Sequence, residues 1–146
     1  MDHTVVHFEI PADQPERAAA FYRDLFGWDV TRYEGIEGLE YWMVQTVPTD
    51  AEGRPTRPGV NGGLMRRMFP GQAPVNYISV ASVDEFVGKA ERLGAKILMG
   101  KHPVPGMGWF AQMEDTEGNG FAVWETDPSA GPAEAAVSEE AGRSGR

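Results

Sequence analysis

The 146-residue chain runs twice through one succession of strand, helix, glycine and strand, and the helix-ending glycines, Gly27 and Gly94, lie 67 residues apart. Residues 4 to 10 (TVVHFEI) alternate and are rich in β-branched side chains, as a strand is. Asp13-Gln14-Pro15-Glu16 reads as a capping box with an early proline, and Ala18, Phe21, Tyr22 and Leu25 follow at helical spacing. Gly27 stops that helix and WDVTRY opens a strand. The pattern returns with VNYISV from residue 75 and a second capping box, Ser82-Val83-Asp84-Glu85. Val83, Phe86, Ala90 and Leu93 form its apolar stripe, Gly94 stops it, and AKILM opens the next strand.

Each half continues in the same way. Strands are predicted near 28–34, 39–46 and 62–67 in the first half, and near 95–99, 108–114 and 120–126 in the second. Glu117-Gly118-Asn119-Gly120 is the turn between the last two. One βαβββ unit leaves a sheet face uncovered and is unstable alone, so two should pair. The expected fold class is α+β, with two paired βαβββ units (about 4–67 and 75–126) forming an eight-stranded curved mixed sheet around a cleft. Residues 1–126 make that domain. From Asp127 the chain reads DPSAGPAEAAVSEEAGRSGR, with Val137 its only large apolar residue, and 127–146 is expected to be a flexible acidic tail.

Charge and composition exclude several classes. Acidic residues outnumber basic ones 22 to 13, a formal charge of -9, which argues against phosphate backbones and anionic membranes as partners. With no cysteine there is no disulfide, thiol catalysis or zinc-thiolate site. No window is long and apolar enough to span a membrane, and MDHTVVHFEIPAD does not read as a signal peptide, so a cytoplasmic location is expected. The glycine-bearing stretches GVNGG and VPGMG fit no nucleotide-binding motif, and no serine lies in GxSxG.

The order of elements resembles the vicinal oxygen chelate superfamily, in particular its single-domain glyoxalase/bleomycin-resistance proteins. The residues that carry the resemblance are HFEIPADQPERAAAFYRDLFGW, NYISVASVDEF and PVPGMGWFAQMEDTEGNGFAVWE. The resemblance implies a divalent metal, in metal-dependent members, held by His, Gln or Glu from the first and last strands of each unit. Matching by position puts His7 on the first ligand position and the second at or near Gly63. The third falls at Val75, or at Tyr77 if the register is two residues off, and the fourth at Ala122. Glu125 lies three residues further on and should face the opposite side of its strand, unless a local bulge turns it into the cup. One imidazole among four positions does not hold a metal, so no cofactor is expected, with a divalent ion as the alternative.

Two functional readings follow. In the first, the chain is a metal-free small-molecule-binding protein whose ligand, an antibiotic or a metabolite, sits in an aromatic-lined cup. Trp42, Trp109 and Trp124 are then the ligand-binding candidates. In the second it is an enzyme, a glyoxalase-like lyase or isomerase or a dioxygenase-like protein. His7 would serve there with a divalent metal, or His7 and Glu9, which share a strand face, would act as acid and base. Tyr77 is the candidate donor to a developing oxyanion. His7, Glu9 and Tyr77 are therefore the catalytic candidates. The resemblance further implies a homodimer.

Overall fold

The computed structural model describes residues 1–36 and 38–132. Eight strands of mixed direction and two helices make an α+β fold, and the chain divides into two compact units. The first is Val5–Tyr77; the second takes Met1–Thr4 and the chain from Ile78 onward.

In the first unit, β1 (Val5–Ala12) leads to α1 (Pro15–Phe26), and β2 (Asp29–Tyr33), β3 (Tyr41–Gln45) and β4 (Gly62–Arg66) follow. The strand order is β2-β3-β4-β1. β2 and β3 are antiparallel, as are β3 and β4, while β4 runs parallel to β1 with Glu9 opposite Gly63. Alternation sends even-numbered side chains toward α1. Ala12, Val30, Trp42, Val44 and Leu64 pack there with Ala19, and Phe8, Tyr22 and Trp28 border them. Gly27 caps the helix in the left-handed region (φ 71°), with its N–H on the Arg23 carbonyl. The expected capping box at 13–16 does not form. Gln14 is the N-cap without a side-chain bond, because the Asp13 carboxylate instead accepts from Arg67 Nε at 2.9 Å.

In the second unit, the end of β5 (Val75–Ser79) leads to α2 (Val83–Arg92), β6 (Lys96–Val104), β7 (Gly108–Glu114) and β8 (Gly120–Thr126). β6, β7 and β8 form an antiparallel meander. Val83, Ala111, Met113 and Val123 are the centre of the core beneath α2. Ser82 is its N-cap, as expected, and its hydroxyl accepts from Glu85 N at 3.1 Å. Ser82→Ala should cost about 1 kcal/mol in a denaturant titration, the ordinary worth of such a cap. In the turn between β7 and β8, Asp115 accepts from the N–H groups of Glu117 and Asn119, and Gly118 takes φ 82°.

Three boundaries carry structural detail beyond the sequence expectation. The units divide inside β5, between Tyr77 and Ile78, and not in the loop before residue 75. β6 runs to Val104 because register shifts at Ile97/Met99 and Met99/His102 let it continue along β7. Beyond β8, the Asp127 N–H donates to the Met107 carbonyl, Ala130 O accepts from Gly106 N, and Ala130 is buried. Residues 133–146, including Val137, lie outside the described residues. Among the described residues no helix is long and apolar enough to cross a membrane.

Candidate functional site

The odd-numbered side chains of the first unit share the sheet face turned away from α1, and four of them form one hydrogen-bonded group. Tyr41 Oη donates to Glu9 Oε2 at 2.9 Å, and Tyr77 Oη donates to Glu9 Oε1 at 2.7 Å. His7 Nε2 lies 2.8 Å from Tyr41 Oη. With the Tyr41 proton directed at Glu9, the imidazole carries its own proton on Nε2 and donates to the phenol oxygen. The His7 ring also meets Tyr77 edge-on, with centroids 5.3 Å apart. Tyr41 and Tyr77 are buried, whereas His7 and Glu9 keep part of their surface accessible.

Burial dictates the protonation of this group. Desolvation lowers His7 to about 4, so the ring is neutral at pH 7. Desolvation raises the Glu9 carboxyl, against the opposing effect of the Tyr77 and Tyr41 hydrogen bonds. Tyr41 is raised well above its ordinary value, first by burial and then by the neighbouring Glu9 charge, so it stays a phenol and a donor.

Tyr41 is the residue that sequence reasoning missed, and Gly63 is the reason it fits. A Cβ built on Gly63 would lie 1.9 Å from Tyr41 Oη and 2.2 Å from its Cζ. The phenol thus occupies the space that a side chain at 63 would need. The available signal was the parity of β3, where Trp42 and Val44 are the apolar partners of Val30 and Leu64, leaving Tyr41 beside His7 and Glu9.

The other candidates are placed as follows. Trp42 is 3% exposed in the core beneath α1, with the Arg32 guanidinium 4.9 Å from its ring, and it does not reach the His7 face. Trp109 packs against the core beneath α2 and donates from Nε1 to Asp127 at 3.0 Å. These two expected ligand-binding residues are helix-side packing, because their strand parity matches that of the apolar residues beneath α1 and α2. Trp124 shares with Ala122 the face of β8 opposite Val123, as alternation predicts, and its Nε1 donates to Thr126 Oγ1 at 3.1 Å. Glu125 is turned to the helix side and accepts from Val83 N at the start of α2.

At the positions where the resemblance implies metal ligands, Gly63, Val75 and Ala122 carry no donor side chain. His7 and Glu9 are already engaged by phenols. Among the described residues no group of three or more His, Cys, Asp or Glu is arranged to hold a metal ion.

The family model described as Glyoxalase/Bleomycin resistance protein/Dioxygenase superfamily matches residues 4–123. Over 128 residues the chain is 28% identical to the proteins named "Putative glyoxylase CFP32" of Mycobacterium bovis and Mycobacterium tuberculosis. That stretch is 86% of this chain and 45% of theirs, so the chain spans about half the length of the curated relatives it matches. Among solved structures, a methylmalonyl-CoA epimerase in complex with methylmalonyl-CoA and NH4+ aligns with a TM-score of 0.62 at 16% identity, over 89% of this chain and 99% of that one. The hypothetical protein BH1468 from Bacillus halodurans C-125 aligns with a TM-score of 0.63 at 14% identity, over 90% and 100%. Methylmalonyl-CoA epimerase from Mycobacterium tuberculosis gives 0.62 at 13%, over 85% and 88%. At these identities the structural likeness shows the fold. The family match runs from the strand that carries His7 to the strand that carries Ala122, and the chain belongs to the Glyoxalase/Bleomycin resistance protein/Dioxygenase superfamily.

Proposed function

We propose that this chain binds a small organic molecule on the His7–Glu9 face of its first unit, and that it does so without a metal ion. One observation carries the reading: the Tyr41 phenol fills the side-chain space at Gly63 and hydrogen-bonds both His7 and Glu9. A metal at His7 would find one further carboxylate, Glu9, and no third His, Cys, Asp or Glu among the described residues. Catalytic metal sites ordinarily supply three protein donors, and this set does not fit one. Glu9, partly accessible, presents its remaining lone pairs to a ligand, and His7 presents the Nδ1 acceptor of its neutral ring.

The test is elemental analysis of the purified protein, followed by thermal unfolding with Zn, Ni, Mn, Fe(II), Mg and EDTA. The expected result is no stoichiometric metal and no ion-specific shift. Near-stoichiometric metal, or a large shift with one ion, sinks the reading.

A second reading is supported by the connected path His7–Tyr41–Glu9, in which a carboxyl raised by burial lies one phenol away from a neutral imidazole. Such a group suits acid–base chemistry beside a carbonyl, with Tyr77 as an auxiliary donor. On this reading His7→Ala abolishes turnover while the protein stays folded; on the first it only weakens ligand affinity. The homodimer implied by the family resemblance is part of the proposal, and sedimentation velocity checks it.

A further inference from the structure

The charge inventory of the His7–Glu9 face narrows the ligand. The odd-numbered residues of β1, β2, β3 and β4 share that face, and none of them is a lysine or an arginine. The two arginines in these strands, Arg32 and Arg66, have even numbers and are engaged elsewhere. Arg32 lies over Trp42 and pairs with Glu34, and Arg66 pairs with Glu40 at 2.8 Å. Among the odd-numbered residues of these four strands, His7 is the only basic side chain.

Glu9 therefore has hydrogen bonds but no counter-charge. Tyr41 and Tyr77 donate to different oxygens of Glu9, so each oxygen keeps a lone pair for a further donor. A carboxylate in a desolvated position is costly until a cation joins it, and no odd-numbered side chain of these strands is a lysine or an arginine that could supply one. On the same face, the Tyr33 ring lies edge-on to Tyr41, the phenol that donates to Glu9, with ring centroids 6.5 Å apart, and remains partly accessible. Gly35 makes room for that ring, since a Cβ there would fall 2.2 Å from Tyr33 Cζ. A carboxylate and an accessible tyrosine ring on one sheet face, joined through Tyr41, are the two kinds of group that attract an alkylammonium ion.

We propose that the ligand of this face is an organic cation, a protonated or quaternary amine, with Glu9 as its counter-charge and Tyr33 as an aromatic wall. The proposal rests on the metal-free binding reading above. The formal charge of -9 adds to it by steering cations toward the protein. An anionic ligand would meet Glu9 and Asp29 with no lysine or arginine among the odd-numbered residues of these strands to offset them.

The experiment uses three probes of nearly one shape: choline, its uncharged isostere with carbon in place of the ammonium nitrogen, and the tert-butylacetate anion. Each is titrated into metal-free full-length protein at neutral pH, with NMR shifts of Tyr33 and of the Met43 methyl as the signal. Choline should saturate, and bind at least about tenfold more tightly than the neutral probe, the scale of a partly desolvated cation–carboxylate and cation–π contact. Glu9→Gln should remove that preference, and Tyr33→Leu, at a less buried position, should weaken choline binding without touching the carboxylate. Raising the salt concentration should weaken choline and leave the neutral probe unaffected. The proposal is overturned if choline gives no saturable shift, if the neutral probe matches it, or if Glu9→Gln keeps the preference. Binding of the neutral or anionic probe to metal-free protein would leave the parent reading standing, whereas stoichiometric metal in the purified protein would remove both.

Discussion

Gly63→Ala is expected to destabilise the fold by about 2–3 kcal/mol, the upper range for inserting a methyl group into a filled interior. The strand cannot retreat to make room, because Gly63 is held in register with Glu9 on one side and with Met43 on the other. The Tyr41 ring must therefore swing away, since a Cβ would sit 1.9 Å from its hydroxyl. That movement strips His7 and Glu9 of a shared partner and leaves buried polar groups unsatisfied, which is the larger part of the cost. Gly100→Ala is the control: it too lies in a strand, and a Cβ there meets nothing within 4 Å. Urea titrations of both variants decide the matter. Equal midpoints would show that the close approach of Tyr41 to Gly63 does not exist in solution.

The second large effect is acid destabilisation through His7. Its folded-state value, lowered to about 4 from 6.5, means that below pH 6.5 the unfolded chain takes up a proton that the folded chain refuses. The contribution of His7 to stability is therefore intact above pH 6.5 and is lost as the pH falls toward 4. A displacement of this size corresponds to about 3 kcal/mol. Glu9 acts with the opposite sign. Its raised carboxyl takes up a proton in the folded state before the unfolded state does, so it restores stability as the pH falls through its folded value. The His7 effect is isolated by subtracting His7→Gln from the wild type. The stability advantage of the wild type should shrink by about 3 kcal/mol between about pH 7 and about pH 4, measured by chemical denaturation across that range. A difference that stays flat would mean the imidazole is solvated and the hydrogen-bonded group is open.

The elements of this fold were legible because their signals are local. β7 and β8 fall on the residues expected from alternation, Gly27 caps α1, and Ser82 caps α2 through a bond that spans three residues. The family likewise followed from short motifs in sequence. The departures come from partners distant in the chain. The capping box at Asp13 failed because Arg67, 54 residues away, takes the carboxylate. The same limit hid the site. Parity put His7 and Glu9 together, but only the pairing of β3 with β4 sets Tyr41 against Gly63, and nothing in residues 39–46 alone says whether Tyr41 or Trp42 faces the helix. Trp42 and Trp109 were read as pocket walls on their chemistry, and the cores beneath the helices claim them instead. The tail was read from composition, which does not register that Ala130 finds a buried place against the turn before β7.

The division of the chain inside β5 has a consequence for how the gene could be cut. The repeat in the sequence ends before residue 75, yet the carboxylate of Glu9 is completed by Tyr77, which the second repeat encodes. A fragment ending at the repeat boundary would carry His7, Tyr41 and Gly63 but leave one oxygen of Glu9 without its phenol. A fragment extended by three codons, through Tyr77, would carry all four polar side chains. Recombination between two such genes would thus keep this hydrogen-bonded group whole only when the crossover falls after the codon of Tyr77, so the unit that must be inherited together is offset from the repeat its sequence displays.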